Sequence, residues 1–552
     1  MTEPEKPYYQ YWPENVPKVI DIPDIPLDSL LRDAAKRFPD NVATTYYNVP
    51  LTYEKLDEIA DRIANALVAL GIEKGETVAL HFTNVPPLVA AYFGILRCGA
   101  VATLLSPLFK ALEIKYQLGD SDARALIKWE GFDGLYENID LSGTKVKHVI
   151  TSNLGNWFEP DPVAANPVAP DGSTLYLEDL IIKHDPEPPT VAIDTERDLA
   201  VLQYTGGTTG LPKGGMLTHR NLVANVSQMV ALFPEKDEGK EVFLTALPLY
   251  HIYAQTVCMN LGIRLGANLV LVGNPRDAEE LIESIEQHGV TIFPGVAAMY
   301  NNINNHEAVE HANLGSVKYC FSGAGPLPKD VQDRFEELTG AKLREGYGLT
   351  EASPLTHANP LAGRSKSGTI GFPCPNTDMK IVDLETGTKV LGINEIGELC
   401  VRGPQVFKGY YKKEEETAAT IRNGWLYTGD AALLDEEGYT VIKERLKNML
   451  KYKGHSVYPT EIEALLYENE AILECAVIGV PDEVAGESIK AYIVLKPGFK
   501  GKVTEKDIIG WAKQNMAAYK YPRTVEFIDE IPKSRIGKIL HRVLREGRTE
   551  LD

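Results

Sequence analysis

Residues 204 to 214 read Tyr-Thr-Gly-Gly-Thr-Thr-Gly-Leu-Pro-Lys-Gly. These types at this spacing suit one task, holding phosphate oxygens. Gly206, Gly207, Gly210 and Gly214 let the backbone wrap closely around a ligand. Thr205, Thr208 and Thr209 add hydroxyl donors, and Lys213 adds a positive charge. Together with backbone N–H groups they make an anion cradle. The stretch is not the common P-loop, in which serine or threonine directly follows the lysine. Here Pro212 precedes Lys213 and Gly214 follows it. A flexible linker is the ordinary reading of a Gly/Thr-rich run. Against it, Leu199-Ala200-Val201-Leu202 leads in like a buried strand, and a helix-like segment is expected to follow.

Further segments carry polar or small residues in a definite order. Leu247-Pro248-Leu249-Tyr250-His251 follows the glycine loop, then Ser322-Gly323-Ala324-Gly325-Pro326-Leu327-Pro328, then Gly346-Tyr347-Gly348-Leu349-Thr350-Glu351. Trp425-Leu426-Tyr427-Thr428-Gly429-Asp430 and Glu444-Arg445-Leu446-Lys447-Asn448 come later. Lys451-Tyr452-Lys453-Gly454-His455 and Ser534-Arg535-Ile536-Gly537-Lys538-Ile539-Leu540 complete the series. Singly, each residue has a plain structural explanation. Glu351 suits the first turn of a helix, and Asp430 suits a turn after Gly429. Lys538 stands among Lys533, Arg535, Arg542, Arg545 and Arg548, as in a solvated basic tail. His251 could fill a core. The ordered set carries the argument, not any one member.

The elements that must position these residues alternate between helix and strand. Leu56, Ile59, Ala60, Ile63, Leu67 and Leu70 recur at helical spacing, and Gly71 sits where a helix would stop. Thr77 to Phe82 reads as a strand, Pro86-Pro87 opens a helix to about Gly99, and Ala100 to Leu105 reads as another strand. Asp277 can cap a helix that ends at Gly289, with a strand at Val290 to Phe293. Helices between short apolar strands imply βαβ units and parallel sheets. The expected fold class is α/β, with two βαβ-type sheet subdomains in a large N-terminal domain. From about residue 366, short strands and glycine turns indicate a β-rich subdomain. A small, mobile α+β domain is expected at the C-terminus, with a helix at Pro459 to Leu466 and strands at Leu473 to Val480 and Ile489 to Leu495. The predicted domains are 1–446 and 447–552.

Composition narrows the function classes. The chain has 552 residues, 44% hydrophobic, with a formal net charge of −21. That charge argues against nucleic acid as a partner and against a broadly basic membrane face. The N-terminus lacks the basic and apolar regions of a secretory signal, and no apolar run is long enough to span a bilayer. The six cysteines have no metal-site spacing and read as reduced, buried thiols. A cytoplasmic protein is expected. Peripheral membrane contact and a homodimer stay open.

From about residue 30 to about residue 545, the ordered segments resemble the adenylate-forming superfamily of acyl-CoA synthetases, peptide synthetase adenylation domains and insect luciferases. The resemblance implies two steps: a carboxylate attacks the α-phosphate of ATP, and a thiol then displaces AMP. The first step brings two anions together, so cationic groups must offset their repulsion. By resemblance, Thr205 to Gly210 and Lys213 take the β- and γ-phosphates, and Thr350 contacts the α-phosphate. Glu351, with Thr205 as a further oxygen, matches the Mg²⁺-associated position, suited to a hard ion. Lys538 matches the lysine that bridges carboxylate and α-phosphate. Asp430 and Arg445 match ribose contacts. Gly323, Ala324 and Gly325 match the adenine lining, and Tyr347, within Gly346-Tyr347-Gly348, matches a stacking aromatic. His251 matches a gate beside an acyl pocket, with Phe243, Met299, Tyr300, Phe321 and Gly323 nearby by position.

No carrier-protein domain follows Lys538, so the expected acceptor is diffusing coenzyme A. Lys453, Gly454 and His455 match the segment lining a pantetheine tunnel, and Lys447 matches the hinge between the two half-reactions. Three positions depart from the family pattern. Asn448 replaces a usual acid, Gly215 replaces a usual larger aliphatic, and the Ser534 to Lys538 spacing is a slight variant. The apolar pocket set favours a medium- to long-chain fatty acid as substrate. An aryl-acid (coumarate-like) CoA ligase, an enzyme loading a separate carrier protein and a non-catalytic binding module are the competing readings. Retention of Lys213, Glu351, Asp430, Arg445 and Lys538 argues against the last.

Overall fold

A computed structural model describes residues 6–159, 161, 168, 174–205, 211–233, 235–452, 455–482, 486–533 and 539–547. The chain forms two compact units. The larger comprises Trp12–Asp378 and Arg402–Leu426. The other comprises Met1–Tyr11, Met379–Val401 and Tyr427–Asp552, so the sequence boundary at 446/447 falls inside it.

Two sheets organise the larger unit. A six-stranded sheet runs in the spatial order His148–Ser152, Ala125–Trp129, Thr77–His81, Val101–Leu105, Leu199–Thr205, Lys213–Thr218. Every neighbouring pair is parallel except the last. The run Val101–Leu105 is buried at every position, and its one polar residue, Thr103, donates its hydroxyl to Leu202 O at 2.9 Å, as a strand covered on both faces requires. The second sheet has nine strands, from Phe372–Pro373 at one edge to Val49–Thr52 at the other. Its centre is parallel, and its edges are antiparallel.

The expected helices are present. Tyr53–Ala69 starts at Thr52, whose hydroxyl accepts from the Lys55 N–H, and Gly71 follows at φ +81°. Pro86–Arg97 opens on its two prolines and is buried on all sides. The two helices pack closely because Gly94 has no side chain: a Cβ there would lie 2.7 Å from Ile63 Cγ2. Asp277 caps Ala278–His288 through the Glu279 and Glu280 N–H groups, and Gly289 ends that helix at φ +60°. The six cysteines are all free and buried.

In the other unit, residues 430–434 pair with Thr440–Arg445 in a β-hairpin. A separate five-stranded sheet is built on the long pair Ile472–Asp482 and Gly486–Leu495. Alternation along these strands covers both faces. Cys475, Val477, Ile489 and Ile493 join Ile462 and Ile508 on one face. Ala476, Ile478 and Tyr492 join Ile531 and Leu544 on the other. The helix Pro459–Leu466 matches its expected bounds.

One buried histidine ties the larger unit to its N-terminal segment. His219, at the start of helix His219–Leu232, accepts the Leu27 N–H through Nδ1 at 3.0 Å and is fully buried. Burial lowers its pKa to about 4, against the partial opposition of Asp28 and Asp198. The unfolded chain therefore binds the proton first as pH falls below about 6.5. Stability should rise with pH from about 4 to about 6.5 and then level, with His219 contributing about 3 kcal/mol. Thermal melting across this range should show that slope, and His219→Gln, which keeps an acceptor for Leu27, should make it shallower.

Candidate active site

Two paired strands flank the glycine stretch. Leu199–Thr205 and Lys213–Thr218 pair antiparallel, with Thr205 opposite Lys213. Gly206, Gly207, Thr208, Thr209 and Gly210 lie outside the described residues. The segment after the loop is therefore a strand, not the helix expected there, and the helix begins only at His219. Two physical causes act together. Gly214 and Gly215 disfavour helix, and the strand's outer edge is taken by residues 408–411. The Lys408 N–H donates to Met216 O, the Met216 N–H to Gly409 O and the Tyr411 N–H to Gly214 O, at 2.8 to 2.9 Å. The small residues also have packing reasons. A Cβ at Gly214 would meet the Tyr204 ring at 3.2 Å, and one at Gly215 would meet Phe407 at 3.4 Å. The hairpin stem is held by Tyr116, whose hydroxyl donates to Pro212 O at 2.8 Å, and by Tyr204, whose hydroxyl donates to Asp120 at 2.7 Å.

Lys213 and Glu351 are brought to one neighbour. The Tyr410 hydroxyl donates to Glu351 Oε1 at 2.6 Å, and Lys213 Nζ lies 5.2 Å from the centre of the Tyr410 ring. Burial, then the Glu351 charge, pushes the Tyr410 phenol well above its ordinary pKa, so it stays a donor. Lys213 Nζ also lies 3.8 Å from the Glu416 carboxylate. Thr350 and Glu351 sit on a single 3₁₀ turn, Thr350–Ala352, just past strand Lys342–Gly348. The turn is anchored by the Phe407 N–H, which donates to Glu351 O at 2.9 Å, and by Ser353, whose hydroxyl donates to Gln405 O at 2.8 Å. Gly348 is obligatory, since a Cβ would stand 2.3 Å from Pro354 O.

Gly346 and Tyr347 lead into this turn, and the Tyr347 ring packs edge-on to His357 at 6.1 Å. Burial lowers the His357 pKa to about 3, so that neighbour is neutral. Gly323, Ala324 and Gly325 leave the adjacent parallel strand Tyr319–Ser322, in which Ser322 stands opposite Glu345. The two segments therefore emerge at the same carboxyl edge of the sheet. Ala324 has φ +65°, uncommon for a residue with a side chain.

The acyl candidates distribute unevenly. Phe243 is fully buried on a central strand, opposite Leu269 and Ile292. Met299 is buried on helix Ala297–Asn304, and Phe321 is half-buried, 5.3 Å from the Phe233 ring. His251 caps the short turn Ile252–Ala254, accepting the Tyr253 N–H at 3.2 Å. Two tyrosines converge on one carbonyl: the Tyr253 and Tyr300 hydroxyls both donate to Phe321 O at 2.9 Å. A Cβ at Gly323 would stand 3.1 Å from the Tyr253 ring. Tyr253, Tyr410 and Glu416 were not singled out in the sequence. The one available signal for Tyr410 was the preceding Gly409, which adopts φ +132°.

In the other unit, Asp430 and Arg445 face each other across the hairpin that residues 430–434 form with Thr440–Arg445. Arg445 Nε lies 2.8 Å from Asp430 Oδ1, and Asp430 is buried. Gly429 at φ +72° turns the chain so that its N–H meets Glu398 at 3.0 Å and its carbonyl accepts from the Leu446 N–H. Lys447 follows, its carbonyl accepting from Arg545 at 3.4 Å. Asn448 donates to Glu444 at 3.4 Å. His455 begins the strand His455–Val457, while Lys453, Gly454 and Lys538 lie outside the described residues.

The family model for AMP-binding enzymes matches residues 31–411, and the model for the AMP-binding enzyme C-terminal domain matches residues 461–538. A long-chain-fatty-acid–CoA ligase of Bacillus subtilis is 39% identical, over 99% of each chain. Among solved structures, the anthranilate CoA ligase AuaEII in complex with anthranoyl-AMP matches with TM-score 0.86 and 28% identity, covering 96% of this chain and 98% of that one. ATP-bound MatB from Rhodopseudomonas palustris matches with TM-score 0.84 and 27% identity, over 95% and 99% of the two chains. With its glycine hairpin, its Thr350–Glu351 turn and these full-length likenesses, the chain belongs to the AMP-binding enzyme family, the adenylate-forming group its motifs resemble.

Proposed function

We propose that the chain is an AMP-forming fatty acid–CoA ligase acting on medium- to long-chain acids. The observation that carries this is the convergence of Lys213 and Glu351 on Tyr410, one cation and one carboxylate beside a glycine hairpin. Such a pair suits a nucleotide's phosphates together with their magnesium. Full-length likeness to a long-chain-fatty-acid–CoA ligase supports the substrate class, as does the apolar set Met299, Phe321 and Gly323.

In the first step a carboxylate oxygen of the acid attacks the α-phosphorus, the bond to the bridging oxygen breaks, and pyrophosphate leaves. Lys213 offsets charge on the departing phosphates, and Thr350 donates to the α-phosphate. Lys538 offsets the repulsion between carboxylate and phosphate, where electrostatic stabilisation contributes most. Asp430 and Arg445 take the ribose hydroxyls, and Tyr347 with Gly323, Ala324 and Gly325 takes the adenine. In the second step the CoA thiolate attacks the acyl carbon and the acyl–phosphate C–O bond breaks, releasing AMP. Lys447 is the hinge between the steps, and Lys453, Gly454 and His455 line the thiol's approach. Among the described residues no group of three or more His, Cys, Asp or Glu could hold a metal ion. Magnesium would come with the nucleotide, with Glu351 adding one carboxylate oxygen, the ligand type it prefers. Among the described residues no helix is long and apolar enough to cross a membrane.

Pyrophosphate release measured across a panel of fatty, aryl and dicarboxylic acids, with and without free CoA, tests the reading. Fatty acids should drive release, with acyl-CoA formed only when CoA is present. Release driven by aryl acids alone would move the substrate class, and release without CoA transfer would favour a carrier protein as acceptor. Lys538→Ala should depress adenylation severely, while Lys447→Pro should spare adenylation and lose thioester formation. Equal loss of both half-reactions in Lys447→Pro would remove the hinge role.

A further inference from the structure

Tyr410 stands where three parts of the larger unit meet. Its backbone faces Gly215 in a bridge to the glycine hairpin. Its N–H donates to Thr417 Oγ1 at 2.9 Å, and its ring packs edge-on to Phe407 at 4.9 Å. Gly409 before it cannot carry a side chain, since a Cβ would stand 2.5 Å from Thr417 Cγ2. The ring is therefore fixed in place by its own segment before any ligand arrives. From that fixed ring two interactions leave in different directions. The hydroxyl reaches Glu351 Oε1 at 2.6 Å, and the π face lies 5.2 Å from Lys213 Nζ. A phenol donating to a carboxylate makes a strong, directional bond, and a lysine over an aromatic face is held by charge–quadrupole attraction.

We infer that Tyr410 is a positioning residue for the MgATP site: its hydroxyl fixes the Glu351 carboxylate and its ring fixes the Lys213 ammonium. The inference rests on the proposed use of Glu351 and Lys213 toward MgATP. Occupying Oε1 restrains the rotation of the carboxyl group and leaves Oε2 as the oxygen oriented for the nucleotide's metal. Restraining Lys213 lowers the side-chain entropy lost when phosphates bind, since a lysine otherwise gives up much rotamer freedom. The two effects are separable because one uses the hydroxyl and the other only the ring. Tyr410→Phe removes the first and keeps the second, whereas Tyr410→Leu removes both.

Titration calorimetry of the full chain with ATP, in excess Mg²⁺ and in EDTA, reads the two effects without turnover. In Tyr410→Phe, affinity in Mg²⁺ should fall about tenfold, the scale of a hydrogen bond to a charged group, while affinity in EDTA stays at the wild-type value. In Tyr410→Leu, affinity in EDTA should fall as well. Glu351→Gln should abolish the same Mg²⁺-dependent gain, and adding Tyr410→Phe to it should cost nothing more, because the two act as one unit. Thermal melting of each variant confirms that the binding change is not unfolding. Wild-type affinities for Tyr410→Phe in both conditions would overturn the inference while leaving the proposed function intact. A wild-type protein whose ATP affinity ignores Mg²⁺, and is unaltered by Glu351→Gln, would overturn the role of Glu351 itself and this inference with it.

Discussion

The pairing of residues 408–411 onto strand Lys213–Thr218 is the interaction on which the candidate site depends. Three backbone hydrogen bonds fix that edge. They set the register that puts Tyr410 level with Gly215, and hence close to both Lys213 and Glu351. Without that edge, Lys213 would be an ordinary exposed lysine at the end of a hairpin and Glu351 a carboxylate on a short turn. The glycines at 214 and 215 serve this pairing as much as any ligand, because Tyr204 and Phe407 lie directly against them.

The same logic runs through the two sheets of the larger unit. Parallel central strands deliver their following segments to one edge, so Gly323–Gly325 and the Thr350–Glu351 turn emerge as neighbours although 25 or more residues separate them in sequence. The sheet supplies rigid ends and the short segments beyond supply the chemistry, a division common to α/β enzymes.

Much of this was legible in the sequence. Helix Tyr53–Ala69 announced itself by apolar spacing and Gly71, and helix Ala278–His288 by Asp277 and Gly289, because local patterning and caps are written in adjacent residues. The α/β class followed from helices alternating with short apolar strands, and the family from motif order. The strand after the glycine loop was not read as one, although it pairs back onto Leu199–Thr205 across the loop; its other edge partner lies about 195 residues away in the chain, beyond any local pattern. Tyr410 was missed for a related reason: its partner Glu351 lies 59 residues upstream, and the preceding Gly409 marks a turn but not a buried donor. The Lys538 assignment rests on motif likeness alone.

Ala324 shows how such a site trades comfort for order. Its φ of +65° is a conformation that glycine adopts freely and that costs alanine about 1 kcal/mol or more. A glycine there would relax the fold locally but would make three consecutive glycines with Gly323 and Gly325. The unfolded and ligand-free ensembles of that segment would then widen. One methyl group in a strained position thus keeps this segment preorganised, so less disorder would have to be frozen out by the adenine proposed to dock against it.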